Sequence, residues 1–376
     1  MNLEEQPIKV AQIIGKWVGG GVESFIMNYY RNIDKSKIQF DFICDEDSTN
    51  IPYEEIERLG GRVILVPPYQ KIFKYQKKLN EVFKKQKYLI VHSHINTLSI
   101  FPLRIAKKNK IQVRIAHSHS TTNKSEWKKN IIKNLLKNFS KIYATDYFAC
   151  SELAGRYLFG NKTYNNKKVV IIKNAIDLDK YVFSENKRKA KRSELKINEN
   201  TLVIGNIGRF VEQKNHEYLI DIFKDVHNKY KNSVLVLVGQ GPLIENVKAK
   251  VKKYKLEKFV FFLGQRLDAN ELYQAFDVFV LPSLYEGLGM VLVEAQISGL
   301  PCVCSTEIPS EVKGIPEFKF VNLDNDSKIW ADYILDLKDN TNRASYKNKF
   351  ANKGYDITKE TIKLEKIYLT LLKDRG

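Results

Sequence analysis

Residues Asp277–Ser298 read DVFVLPSLYEGLGMVLVEAQIS. The apolar run Val278–Leu281 predicts a buried strand, Pro282 stops it, and Leu288–Ser298 has the composition of a helix ending at Gly299. Glu286 therefore falls on a loop and Glu294 on the helix that follows. Gly287 and Gly289 let a backbone come close to a ligand, and the N–H groups at the helix start, those of Leu288, Gly289 and Met290, cradle anionic oxygens. Such a turn suits a phosphate-bearing ligand. A carboxylate just before it can accept hydrogen bonds from sugar hydroxyls, and one a turn or two into the helix can reach a ribose diol. The plainer alternative is a solvated loop carboxylate and a helix-surface one.

Working outward, strand-like and helix-like segments alternate. Ile8–Ile14 is apolar and leads into the glycine turn Gly19-Gly20-Gly21 and an amphipathic helix; Phe40–Cys44, Val63–Val66, Leu89–His92, Val113–His117 and Tyr147–Cys150 follow as short strands. A second series runs through Leu202–Asn206, Val234–Val238, Val260–Leu263, Val278–Leu281 and Cys302–Cys304. Alternation of this kind argues for parallel sheets with helices on both faces, hence an α/β chain of two Rossmann-like domains. The boundary is read near Asp177–Asn200, polar and without a strand pattern, giving domains 1–178 and 179–356. A last helix, about Asp356–Leu372, follows the second series. Ligands of open α/β sheets bind beyond the carboxyl ends of the strands, which makes the cleft between the domains the expected site.

A chain of 376 residues is long for one core and fits two domains. Its 43% hydrophobic content is that of a folded protein. No apolar run approaches the ~20 residues that span a bilayer. The start MNLEEQPIKV lacks the basic and apolar regions of a signal peptide, so a cytoplasmic location is expected. Cys44, Cys150, Cys302 and Cys304 lie in strand-like runs without zinc-knuckle spacing and read as buried thiols. The net charge of +19 is uneven: Pro67–Lys141 holds eighteen Lys and Arg against Glu81 and Glu126. Such a patch suits a polyanion, nucleic acid or anionic lipid, or reflects lysine-rich composition alone. Within it, Lys124–Lys141 places Trp127, Ile131, Leu135 and Phe139 on one helical face and lysines on the others. That pattern fits either a peripheral enzyme lying on an anionic membrane or a helix packed on its own sheet.

Four of the six histidines form two pairs at strand ends, His92-Ser-His94 and His117-Ser-His119. Residues two apart on a strand point the same way and could chelate zinc, but no acidic or thiolate ligand joins them, and no metal is expected.

The Asp277–Ser298 stretch, with the trailing Gly299-Leu300-Pro301, resembles the E-x7-E motif of retaining nucleotide-sugar glycosyltransferases of the GT-B fold, specifically glycosyltransferase family 4. The likeness extends over nearly the whole chain and is densest from Leu202 to Thr306. Asn206–Lys214 (NIGRFVEQK) resembles the family's G-R-x4-K element, which implies that Arg209 and Lys214 hold the donor pyrophosphate. Breaking the anomeric bond puts extra negative charge on the nucleoside diphosphate, and without a metal two fixed cations must stabilise it. By the same resemblance Gly20 and Gly21 face the donor phosphates, Gln265 and Arg266 belong to the loop whose backbone reads the nucleobase, and Ile171–Asn174 with Ala175-Ile176-Asp177 resembles an N-G-I-D crossover with Ala175 in place of Gly. A histidine meets the transferred sugar near its sixth carbon. His119 is the closest match and His117 the alternative, because the family's His-Asp dipeptide is replaced here.

The resemblance implies transfer of a hexosyl unit from a nucleotide sugar, a UDP-sugar by expectation, with retention and no metal or other cofactor. Glu286 would position the sugar and Glu294 the ribose. The acceptor would be a glycan or lipid-linked polysaccharide unit of the capsule and exopolysaccharide type, and residues 357–376 would return to the first domain. Three rivals remain. A metal-dependent GT-A transferase could use Asp45-Glu-Asp47, Asp177-Leu-Asp179 or Asp324-Asn-Asp326, but leaves the second strand series unexplained. A UDP-sugar 2-epimerase shares the GT-B fold but not the Gly-Arg and E-x7-E elements. A nucleic-acid-binding protein would explain only the charge, and no recognised binding motif accompanies it.

Overall fold

The computed structural model describes residues 6–119, 139, 141–338 and 343–375. The basic amphipathic segment Lys124–Lys141 falls, but for Phe139 and Lys141, outside the described residues. The chain divides into two compact units, Met1–Ile176 with Gly354–Gly376, and Asp177–Lys353.

In the first unit the elements are β1 (Ile8–Gly15), α1 (Gly21–Asn32), β2 (Ile38–Asp45), α2 (Tyr53–Arg58), β3 (Arg62–Val66), α3 (Ile72–Gln86), β4 (Ile90–Ser93), α4 (Ile100–Lys108), β5 (Val113–Ser118), β6 (Asp146–Ala149), α5 (Glu152–Phe159), α6 (Asn161–Asn165) and β7 (Val169–Ile171). The strands form one parallel sheet ordered β3-β2-β1-β4-β5-β6-β7. Successive side chains alternate between its faces. Val10, Phe42, Ile90, Ile115 and Phe148 enter one core and Ala11, Ile43, Val91, Ala116 and Ala149 the other. Burial on both faces explains why these strands read as continuous apolar runs.

The second unit contains α7 (Glu185–Glu194), β8 (Leu202–Ile207), α8 (His216–Lys229), β9 (Ser233–Val238), α9 (Ile244–Lys253), β10 (Val260–Phe262), α10 (Ala269–Ala275), β11 (Val278–Leu281), α11 (Met290–Ile297), β12 (Cys302–Ser305), β13 (Phe318–Val321), α12 (Ser327–Leu337) and α13 (Lys347–Asn352). Its parallel sheet is ordered β10-β9-β8-β11-β12-β13. The second sheet removes the reason for a GT-A reading. Two features depart from the sequence reading. The polar stretch Asp177–Asn200 carries the ten-residue α7, because Arg188 and Arg192 on its inner side meet Asp277, at 2.5 and 3.3 Å, so charge pairing replaces an apolar stripe. An edge strand, β13, ends the sheet, too short for its FKFV pattern to announce itself.

The last helix, α14 (Ile357–Lys373), joins the first unit. Asp356 caps it by accepting from the Thr358 amide at 3.0 Å, and Ile357, Leu364, Tyr368 and Leu372 enter the core shared by β1, β2 and α1. Beside it, Ile176 bridges Asp356 where the chain leaves and re-enters this unit. Among the described residues no helix is long and apolar enough to cross a membrane, and the four cysteines are buried and free. Truncating Leu364 to Ala should destabilise the first unit by roughly 2–5 kcal/mol in urea unfolding, whereas Leu369→Ala, on the outer face, should shift it by no more than about 0.5 kcal/mol.

Candidate functional site

Strand order in the second sheet reverses between β8 and β11, which pair at Val278↔Ile204 although β9 and β10 intervene in sequence. The loops leaving those two strands therefore emerge side by side, at the kind of switch point where open α/β sheets bind ligands. The β8 loop ends in the short 3-10 turn Glu212–Lys214, and the β11 loop runs from Pro282 to Gly289. The Leu284 amide donates to the Gln213 carbonyl at 2.8 Å and stitches the loops together, while Asn206 Nδ2 donates to the Val280 carbonyl at 2.7 Å beneath them.

Lys214 Nζ lies 2.6 Å from Glu286 Oε1, with both side chains largely buried, 15% and 8% exposed. Ser283 Oγ donates to the same oxygen at 2.8 Å, and Gln213 Nε2 approaches the other at 3.4 Å. The sequence reading gave Lys214 and Glu286 to different parts of the donor. The structure joins them in one ion pair, and adds Ser283 and Gln213, whose small polar side chains carry no motif signal. Gly289, at φ +80°, takes the left-handed conformation that opens α11. No side chain caps that helix, and within its first turn the Leu292 amide donates to the Gly289 carbonyl at 2.9 Å. Arg209 is exposed and makes no ion pair among the described residues.

Glu294, one turn into α11, accepts a hydrogen bond from the Tyr273 hydroxyl at 2.7 Å. Burial pushes its carboxyl up to about 7, against the Tyr273 hydroxyl and Lys214, which draw it down. Tyr273 lies on α10, remote in sequence from the motif it supports. Gln265 is exposed, whereas the Arg266 guanidinium is held by Asp268 and Glu194 at 2.7 and 2.6 Å. The Arg266 side chain is thus taken up by its two carboxylates, while that of Gln265 stays exposed.

In the first unit the corresponding reversal lies between β1 and β4. The glycine loop follows β1, and its left-handed residue is Gly19, at φ +78°; Gly20 and Gly21 have ordinary backbone, and a Cβ on Gly21 would meet open space. Glu23 accepts from the Val18 amide at 2.9 Å and holds the loop. Because β4 and β5 are neighbours and each sends two histidines to one face, the two pairs form a single array. His92 stacks on His94 with centroids 4.1 Å apart, and His117 on His119 at 3.9 Å. His92 Nε2 meets His117 Nδ1 at 3.0 Å and His94 Nδ1 meets His119 Nε2 at 2.8 Å. Burial lowers all four, His119 to about 3 and the other three well below the usual imidazole value, which favours neutral rings. Nitrogens of His92, His94 and His117 lie within 4.8 Å of one another. The same rings also hydrogen-bond one another in pairs, His92 with His117 and His94 with His119. The sequence reading took the two pairs together as a possible zinc site; the structure brings them into one array.

Two outcomes follow from this geometry. Lys214→Met should lower stability by about 3 kcal/mol, because it strands a nearly buried Glu286 carboxylate, and the double variant Lys214→Met/Glu286→Gln should lose less than the sum of the two single losses in a double-mutant cycle. Between the usual glutamate value of 4.5 and about 7 the folded protein holds a Glu294 proton that the unfolded chain has released. The contribution of Glu294 therefore declines as pH rises through that window, and urea titrations should show a shallower decline in Glu294→Gln.

Residues 187–356 match the family model described as glycosyl transferases group 1, and residues 19–180 that described as glycosyltransferase family 4. The chain is 33% identical to the putative glycosyltransferase EpsF of Bacillus subtilis over 96% of both chains. It is 25% identical over 99% of both to the Escherichia coli UDP-Gal:alpha-D-GlcNAc-diphosphoundecaprenol alpha-1,3-galactosyltransferase. Among solved structures it is similar to Anabaena HepE in complex with UDP-glucose, with a TM-score of 0.80 at 18% identity, covering 96% of this chain and 100% of that one. With two doubly wound sheets, the Glu286 and Glu294 loop-helix element and near-complete coverage by a relative of this kind, the chain belongs to the glycosyltransferases of family 4, with the GT-B fold.

Proposed function

We propose that this glycosyltransferase moves a hexosyl unit, with retention of anomeric configuration, from a UDP-sugar to a lipid-linked polysaccharide unit. The observation that carries the reading is the Lys214–Glu286 pair beside the uncapped start of α11. One cation, one carboxylate and a row of N–H donors sit together where two loops meet, a combination suited to a sugar attached to a diphosphate. Lys214 and Arg209 stabilise the departing diphosphate, aided by the amides of Leu288, Gly289 and Met290 beyond Gly287. Glu286 orients the sugar hydroxyls, and Glu294 accepts from the ribose diol. His119 contacts the transferred sugar, Gly20 and Gly21 lie against phosphate, and the backbone at Gln265 and Arg266 reads the base. No residue of the motif serves as a covalent nucleophile in this reading. The leaving phosphate takes the acceptor's proton on the face it departs from, and the enzyme stabilises an oxocarbenium-like transition state without a metal.

Relatives support the donor and acceptor classes. The Escherichia coli enzyme is named for UDP-Gal and a diphosphoundecaprenol acceptor, and a Campylobacter jejuni relative, 26% identical over 63% of this chain, for another diphospho-undecaprenol. Both names specify alpha linkages, which an α-linked donor yields by retention. An Erwinia amylovora relative, 37% identical over 28% of this chain, is named for amylovoran biosynthesis. The exposed lysines of α3, Lys74, Lys77, Lys78, Lys84 and Lys85, suit an anionic membrane surface on the cytoplasmic side, where such an acceptor would be presented, rather than nucleic acid.

Nucleotide release measured over a panel of UDP- and GDP-sugars, with membrane lipid extract as acceptor, tests the reading. Turnover should require a UDP-sugar, persist in EDTA, and fall by about 10²–10³-fold in Glu286→Ala and Lys214→Ala. Unchanged turnover in both variants would falsify the site.

A further inference from the structure

The histidine array ends at Tyr368 of α14, and its hydrogen bonds have a direction. Gln12, buried on β1, donates from Nε2 to the Tyr368 hydroxyl at 3.4 Å, which leaves Oε1 to accept from His94 Nε2 at 2.7 Å. A neutral imidazole has one donor and one acceptor nitrogen. With its proton on Nε2, His94 offers a lone pair at Nδ1, and the 2.8 Å contact there requires the proton of His119 to sit on Nε2. His119 Nδ1 is then the unprotonated nitrogen. A second branch runs from the Tyr368 hydroxyl to His92 Nδ1 at 2.6 Å and from His92 Nε2 to His117 Nδ1 at 3.0 Å, ending at His117 Nε2, a buried atom with no partner among the described residues. Phe25 of α1 lies edge-on to the His119 ring, with centroids 5.1 Å apart, and Asn96 Oδ1 accepts from the His119 backbone amide at 2.8 Å, so ring and backbone are each held once more.

We propose that Gln12 is a positioning residue: through His94 it holds His119 in the Nε2–H tautomer, so that Nδ1 accepts a hydrogen bond from a hydroxyl of the transferred sugar. The proposal rests on the sugar contact given to His119 above. Reversing the tautomer of His94 would set its Nε2 lone pair against the Gln12 carbonyl oxygen, so the choice is made inside the sheet and not by the substrate. Tyr368 completes the amide's orientation by accepting its N–H. The chain's last helix thereby contributes to a side chain that it does not touch.

Nitrogen NMR of the full-length protein with labelled histidine reads the tautomer directly. Wild type should show a protonated Nε2 and a pyridine-like Nδ1 at His119. Gln12→Met, which keeps the bulk and removes the acceptor, should mix the two tautomers and lower kcat/KM for the nucleotide sugar about tenfold. Tyr368→Phe removes the acceptor that orients the Gln12 amide but keeps the Gln12 carbonyl, and should loosen the His119 tautomer less than Gln12→Met does. A protonated Nδ1 in wild type overturns the proposal even if Gln12→Met does not fold, and so does an unchanged tautomer in that variant. Stoichiometric zinc that moves all four histidine signals also overturns it, because the array would then be a metal site. If His119→Ala leaves turnover unchanged while Lys214→Ala abolishes it, the sugar contact fails and the transferase reading stands.

Discussion

The pairing of β8 with β11 is the constraint on which the second unit's chemistry depends. Consecutive strands of a parallel sheet spread outward on one side of the first strand, and the chain must cross back once to fill the other side. At that crossing two loops leave adjacent strands in opposite company, with no helix packed between them. Lys214 and Glu286 come from these loops, and they meet at 2.6 Å because their strands are neighbours. Their pairing neutralises a carboxylate that would otherwise be nearly buried and uncompensated. An anionic ligand arriving at the helix start would compete for the same ammonium group.

The first unit repeats the device with a different chemistry. Its switch point, between β1 and β4, is lined by the glycine loop, tied by the Glu23 carboxylate, then by Gln12 and the four stacked histidines. Burial keeps those rings neutral, so they transmit orientation rather than charge. The contrast is one of chemistry: an ion pair stands at the second unit's switch point, and directed hydrogen bonds between neutral groups at the first unit's.

Much of this was legible along the chain. Strands buried on both faces are continuous apolar runs, so both strand series, with the glycine turns after them, stood out in the sequence. The Glu286 and Glu294 element was legible because a strand stop, a glycine turn and a helix start are all local. Tyr273, Ser283 and Gln213 were not, since a single polar side chain acquires a partner only when its element is placed against another. Helix α7 was hidden for a related reason: its inner side is held by Arg188 and Arg192 on Asp277, 89 and 85 residues on, and not by an apolar stripe.

The amino-acid sequence by itself determined the α/β class, the two strand series and which residues stand at the strand ends, because hydrophobic periodicity and turn chemistry act over a few residues. Tertiary structure alone decided which of those ends are neighbours. Strand order is a global property, set by how helices cover both faces of each sheet. It was strand order that made an ion pair of Lys214 and Glu286, and one directed array of two separate histidine pairs.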